Sequence, residues 1–206
     1  MITGVFAHWP NRITALRFIG ALALFVIFAV WGGRNESELE GERAIFQIAF
    51  WLFIATALSD VLDGWLARRG NQITTFGRIA DPFVDKVLIV GAMIFLAVMP
   101  WSRAYFPAWV VVVIVAREFL VTGIRGWAES LGQKFPADWF GKVKMLLQCF
   151  AVAIVIGLAA FKFSPDMNHL WSKVAEACVI ATLIATLGSG FSYVFKVRKL
   201  LSQTAQ

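Results

Sequence analysis

Six long apolar segments constrain this chain more than any other feature. A bilayer core of about 30 Å takes about 20 helical residues at about 1.5 Å each. Six segments approach that length: Ile13–Trp31, Ile45–Trp65, Ile79–Met99, Tyr105–Ile124, Val143–Phe161 and Leu170–Phe195. They predict an all-α integral membrane protein of six transmembrane helices, in one membrane-embedded domain over residues 1–206. Most of Trp9, Trp31, Trp51, Trp65, Trp101, Trp109, Trp139 and Trp171 fall near predicted span ends, as an interfacial aromatic belt does. Composition agrees: 59% of residues are hydrophobic and 16% charged, whereas a soluble domain has about half and about a quarter. That much apolar surface excludes intrinsic disorder. The 19 Lys and Arg exceed the 13 Asp and Glu, but much of the positive charge lies in short clusters between apolar runs. No nucleic-acid partner is expected from that pattern, and membrane lipids are. Cys149 and Cys178 lie inside apolar segments and read as small buried hydrophobes, not a disulfide.

The loops predict the orientation. With the N-terminus in the cytoplasm, eleven inside residues are basic: Arg12, Arg68, Arg69, Arg78, Arg125, Lys134, Lys142, Lys144, Lys196, Arg198 and Lys199. The outside segments hold five: Arg34, Arg43, Arg103, Lys162 and Lys173. This is a positive-inside bias, and it implies an inner (cytoplasmic) membrane protein. The first span contains Arg17 and lacks a small-x-small cleavage site, so it reads as a retained helix and not as a signal peptide.

Hydrophobicity does not account for Asp60, Asp63, Asp81, Asp85, Arg17, Lys86 and Arg117. Ionised groups at membrane depth cost a few kcal/mol or more, so they pair or serve a site. All seven lie near predicted cytoplasmic helix ends. Asp60 and Asp63 are spaced i, i+3, and Asp81 and Asp85 i, i+4, so each pair shares a helix face. The short connection between them holds the turn signal Gly70-Asn71. It makes the two helices antiparallel neighbours whose acidic pairs can face one gap. Four carboxylates that close need a cation. A hard divalent ion with oxygen ligands, Mg²⁺ or Mn²⁺, is the natural counter-charge. Gly64 and Gly77 permit close approach of a ligand, and Arg68 and Arg69 offer forked donors suited to phosphate. Pro82 allows two readings. It is the favoured first helical residue if Asp81 caps the helix. It is an interior, bending residue if the helix starts near Thr74 or Thr75.

A single interfacial aspartate is usually a solvated helix end. The ordered set is not: Asp60-x2-Asp63-Gly64-x2-Ala67-Arg68-x8-Gly77-x3-Asp81-x3-Asp85 places eight positions within 26 residues. It matches in full the signature of the CDP-alcohol phosphotransferases, and the chain resembles that family. The resemblance implies six transmembrane helices, a homodimer, and transfer of a substituted phosphate from a CDP-linked donor to an alcohol with release of CMP. It implies that Asp60, Asp63 and Asp81 hold two metal ions, with Asp85 as a further metal contact and the general base. It places Gly64, Ala67, Arg68 and Gly77 along the cytidine diphosphate pocket. Pro10-Asn11-Arg12-Ile13-Thr14-Ala15-Leu16-Arg17 resembles the family's entry to the first helix. Ala116-Arg117-Glu118, Arg125-Gly126-Trp127 and Gly141-Lys142-Val143-Lys144 resemble stretches of the bacterial phosphatidylglycerophosphate synthases within it.

That resemblance implies CDP-diacylglycerol as donor and glycerol 3-phosphate as acceptor. The acceptor carries a phosphate, so a cationic pocket is required. Arg117, Arg125, Lys142 and Lys144 are the candidates, with Arg17 a further one. The bland readings are topology and attraction to anionic lipid for the two lysines, and pairing with Glu118 or an aspartate for Arg117. Two other functions compete. One is the same chemistry on another alcohol, such as phosphatidylglycerol in a CDP-diacylglycerol-dependent cardiolipin synthase. The other is a cation transporter, which would place acidic residues near the midplane and not at one face.

Overall fold

A computed structural model describes residues 9–34, 36–70, 75–130, 132 and 139–204; side chains at 10, 36–38, 60–70, 75–79, 81–82, 139–140, 142, 196–197 and 199–204 fall outside the description. The described residues form six helices: α1 Trp9–Trp31, α2 Glu36–Gly70, α3 Thr75–Val98, α4 Ala108–Ser130, α5 Trp139–Ala160 and α6 Pro165–Thr204. Each contains or largely overlaps one expected span. Helix extends well past the apolar core in α2 and α6, which have 35 and 40 residues. At about 1.5 Å per residue both outrun a bilayer core. The acidic stretch from Glu36 to Glu42, expected as an outer loop, is the first part of α2. Arg43 pairs there with Glu40 at 3.4 Å, and Arg34 with Glu42 at 3.7 Å. Hydropathy reports only the part of a helix that meets lipid; glutamate-rich sequence continues a helix into water at little cost. At the start of α6, Ser164 accepts a hydrogen bond from the Met167 amide at 3.4 Å. Pro165 takes the first helical position and Asp166 the first turn, the favoured chemistry of a helix N-terminus.

Four helices carry segments long and apolar enough to cross a membrane: Asn11–Trp31, Leu39–Ser59, Val143–Ala160 and Pro165–Phe195. Helices α3 and α4 do not stand out among the described residues. Arg117, Glu118 and Arg125 interrupt α4, and α3 begins with Arg78, Asp81, Asp85 and Lys86. Leu16, Ile19, Val26, Ile48, Val112, Phe150, Ile184 and Phe191 are exposed on the bundle's outside. An apolar surface that extensive belongs in lipid, so this is an integral membrane protein.

Helix α5 is central: 56% of its span is buried, against 22–28% for those of α1, α2 and α6. It packs on α2 and α6, while α1 packs on α2 and α3, and α4 on α6 and α3. Phe25 of α1 stacks on Phe95 of α3 at 5.5 Å between ring centres. Phe25 also lies over Gly91, where a Cβ would collide with its ring. Phe50 of α2 fits against Gly157 of α5. Trp101 is not interfacial as expected: it is buried, edge-on to Phe46 at 5.3 Å. Cys149 and Cys178 are not joined in a disulfide, and both are half-buried in the bundle.

Candidate active site

The buried face of α1 shows how the site is built. Asn11, Thr14, Arg17, Ala21, Leu24 and Phe28 are each at most 2% exposed, at the three- and four-residue intervals of one helical stripe. The stripe is polar up to Arg17 and apolar beyond it. The switch marks one end of the bundle as polar inside. Arg17 is the largest fully buried side chain there. Its Nη1 pairs with Asp85 of α3, and its Nε donates to Ser59 of α2 at 3.2 Å. Ser59 in turn donates to the Thr56 carbonyl at 2.7 Å. Consecutive helices α2 and α3 meet over only a short stretch among the described residues. The guanidinium from α1 bridges them one residue before Asp60. A small cavity opens beside this pair, lined by Arg17, Thr56, Asp85, Met145 and Cys149.

Helix α3 runs unbroken from Thr75, so Pro82 is an interior residue and Asp81 is not a cap. The Arg78 carbonyl therefore lacks its usual amide donor. Asp60 and Asp63 lie on the last turns of α2, and Asp81 and Asp85 on the first turns of α3. The side chains of Asp60, Asp63 and Asp81 lie outside the described residues, as do Gly64, Ala67, Arg68 and Gly77 of the expected cytidine pocket beyond their backbone. Among the described residues no three acidic, histidine or cysteine side chains converge. The expected donor set is all carboxylate, which fits a hard divalent cation. The Asp85 side chain is 20% exposed, so it is not sealed from such an ion.

A second cluster joins α3, α4, α5 and α6. Lys86, next to Asp85, donates to Thr122. Glu118 takes Arg117 Nη1 at 3.0 Å and also pairs with Lys144. Arg117 Nη2 donates to Ser189 of α6. Arg125 Nε donates to the Tyr193 hydroxyl at 3.1 Å, and its Nη2 donates to the same oxygen. The Arg117, Glu118 and Lys144 side chains are 10%, 14% and 5% exposed. Four cations, Lys86, Arg117, Arg125 and Lys144, thus lie in one region, and among the described residues only Arg117 and Lys144 pair with a carboxylate, that of Glu118; Lys86 and Arg125 bond to hydroxyls. Buried like charges are costly without a counter-ion. Two guanidiniums suit the planar, two-point recognition of a phosphate.

The structure therefore brings Arg117, Arg125 and Lys144 together and adds Lys86, Ser189 and Tyr193, which sequence reasoning left without a role; Glu118, expected as a candidate partner of Arg117, does pair with it at 3.0 Å. Lys86 stood out as an intramembrane charge but received no partner. Arg17 sits apart in the first cluster, enclosed against Asp85. Lys142 has its side chain outside the described residues. Gly123 and Gly126 face open space on α4.

A family model for CDP-alcohol phosphatidyltransferase matches residues 7–189 of the chain. The chain belongs to the CDP-alcohol phosphatidyltransferase family. It is 36% identical over 151 residues to the CDP-diacylglycerol–glycerol-3-phosphate 3-phosphatidyltransferase of Bacillus subtilis (strain 168), covering 71% of this chain and 75% of that protein. It is 37% identical over 138 residues to the protein of the same name from Escherichia coli (strain K12), covering 60% and 72%. A Mycobacterium tuberculosis (strain ATCC 25618 / H37Rv) protein named "Probable phosphatidylglycerophosphate synthase" is 32% identical over 192 residues, covering 91% and 80%.

Proposed function

We propose that this protein transfers the phosphatidyl group of CDP-diacylglycerol to glycerol 3-phosphate, giving phosphatidylglycerophosphate and CMP. The observation that carries this reading is the cationic cluster of Arg117 and Lys144 on Glu118, Arg125 on Tyr193 and Lys86 on Thr122, with Lys86 one residue along α3 from the motif aspartate Asp85. An acceptor that brings its own phosphate needs such a pocket; an uncharged alcohol does not. The names of the relatives support the same acceptor.

In this reading all six helices cross an inner, cytoplasmic membrane. The N-terminus and the site face the cytoplasm, as the positive-inside bias suggests, and the protein acts as a homodimer of single catalytic domains. The donor's acyl chains lie in the bilayer and its head enters between α2 and α3. Gly64, Ala67 and Gly77 admit the cytidine diphosphate, and Arg68 contacts it. Asp60, Asp63, Asp81 and Asp85 would hold two divalent ions, Mg²⁺ or Mn²⁺. Bound there, such ions supply charge neutralisation of the diphosphate and of departing CMP. Asp85 accepts the proton from the 1-hydroxyl of glycerol 3-phosphate. The freed oxygen attacks the lipid-side phosphorus, and the bond from that phosphorus to the oxygen of CMP breaks. Arg17 is a positioning residue: its guanidinium holds the Asp85 carboxylate in place. Arg117, Arg125, Lys142 and Lys144 bind the acceptor phosphate, with Lys86 beside them.

The test is CMP release by the purified protein with CDP-diacylglycerol and a panel of alcohols. Glycerol 3-phosphate should support turnover. Turnover with phosphatidylglycerol, serine or inositol phosphate in its place would sink the acceptor assignment. Cation flux in proteoliposomes without CDP-lipid would sink the transferase reading itself.

A further inference from the structure

The hydropathy of α6 marks it as a plain span, yet its buried face changes along its length. Ala175, Val179, Thr182, Thr186, Ser189 and Tyr193 are all buried. Their spacing of four, three, four, three and four residues makes one stripe of a helix. The residues around it, Ile184, Phe191 and Phe195 among them, are exposed to the lipid side. The stripe starts apolar and ends on a hydroxyl and a phenol, where α6 meets the cationic cluster. Tyr193 has no solvent exposure. It also lies past residue 189, where the match to the family ends.

Tyr193 touches both arginines of α4. Its ring centre is 5.2 Å from the Arg125 guanidinium carbon and 5.8 Å from that of Arg117. Its hydroxyl accepts from Arg125 Nε at 3.1 Å and from Nη2. One turn earlier, Ser189 accepts from Arg117. Two guanidiniums this close repel each other, and each long side chain has rotamer freedom to move apart. An aromatic face attracts both cations, and a fixed oxygen removes the freedom of one. Donors remain for a ligand. The bonds of Arg125 to the described residues run through Nε and Nη2, and Arg117 Nε is buried with no partner among them.

We propose that Tyr193 is a positioning residue for the acceptor phosphate, holding Arg125 by its hydroxyl and ring and Arg117 by its ring so that both guanidiniums converge on one phosphate. This rests on the reading of the cluster as the acceptor site. Helix α6 is then part of the machinery that selects a phosphorylated alcohol. Tyr193 touches the arginines and not the reacting atoms, so it acts on acceptor binding and not on the chemical step.

The experiment compares steady-state CMP release by the full-length protein and its Tyr193→Phe and Tyr193→Leu variants, with Phe191→Leu as a lipid-facing control on the same helix. Tyr193→Phe keeps the ring and the packing and removes only the oxygen. It should raise the KM for glycerol 3-phosphate about tenfold, the loss expected for a hydrogen bond to a charged group. The KM for CDP-diacylglycerol and the kcat should stay within about twofold. Tyr193→Leu should raise the acceptor KM further, because the ring contact goes as well. Phe191→Leu should change neither constant. An unchanged acceptor KM in Tyr193→Phe overturns the proposal. An equal rise in both KM values also overturns it, since the cations would then hold the donor's phosphates or the fold as a whole. Absence of CMP release by the unsubstituted protein with glycerol 3-phosphate would instead overturn the functional reading, and the acceptor role of Tyr193 with it.

Discussion

The two polar clusters inside this bundle differ in charge balance. Around Arg17, the buried guanidinium meets, among the described residues, the carboxylate of Asp85 and the hydroxyl of Ser59. Around Glu118, Arg117 and Lys144 pair with the single described carboxylate, while Arg125 and Lys86 beside them bond to the hydroxyls of Tyr193 and Thr122. The first arrangement places a charge that is already compensated, and suits a group that must be held still. The second keeps an excess of charge at membrane depth, which is costly unless an anion arrives. Lys86 adjoins Asp85 on α3, so the two clusters are neighbours in the chain. One reads as the place where a proton is taken, the other as the place where a phosphate is gripped.

That contrast breaks most visibly at Asp85. Replacement by Asn should lower CMP release by about 10³-fold, the scale of a lost general base, while membrane insertion and elution on gel filtration stay normal. Sustained turnover would remove Asp85 from catalysis. Next in size is Arg17→Met. Removing one partner of a buried pair costs about 3–5 kcal/mol, so the thermal midpoint in detergent should fall sharply, while the same change at lipid-facing Leu16 should barely move it. If the two shifts are alike, the Arg17–Asp85 pair does not hold the first cluster together. A double-mutant cycle of Arg17→Met with Asp85→Asn should show strong coupling, because the residues touch.

Arg117→Gln probes the unbalanced cluster. It should leave stability less affected than Arg17→Met and raise the KM for glycerol 3-phosphate at least about tenfold, with little change for CDP-diacylglycerol. Matching changes in both constants would argue that the cluster has no preference for the acceptor. The smallest effects belong to the glycines. Gly91→Ala pushes a methyl into the Phe25 ring and should cost about 1–3 kcal/mol as an overpacked contact. Gly123→Ala enters open space and should stay within about 0.5 kcal/mol. Thermal denaturation of both variants checks the pair; equal midpoints would mean that α1 and α3 do not pack through Phe25 and Gly91.

Much of this was legible before any coordinates. All six helices and the bundle's charged end follow from apolar runs and from the charges that interrupt them. Trp101 defeated the rule that tryptophans near span ends sit at the interface, because the α3–α4 connection folds inward and Phe46 offers a ring to pack on. Helix ends defeated hydropathy in α2 and α6, since water tolerates a helix as readily as a loop. Arg117, Arg125 and Lys144 were recognised as a candidate group from local motifs. Tyr193 was not, although its stripe of small and polar residues at three- and four-residue intervals was present in the sequence. A stripe shows that a face is buried but not what buries it.

The sequence by itself determined the class of fold and the chemistry at hand. Apolar length dictates helices that cross lipid, and the spacing of Asp60, Asp63, Asp81 and Asp85 dictates which residues share a helix face. Only the tertiary structure decided the partners: that Arg17 serves Asp85, and that two arginines of α4 rest on one tyrosine of α6. Periodicity acts within a helix, over a few residues. Partnership across helices depends on how whole helices pack, which comes from side chains far apart in the chain.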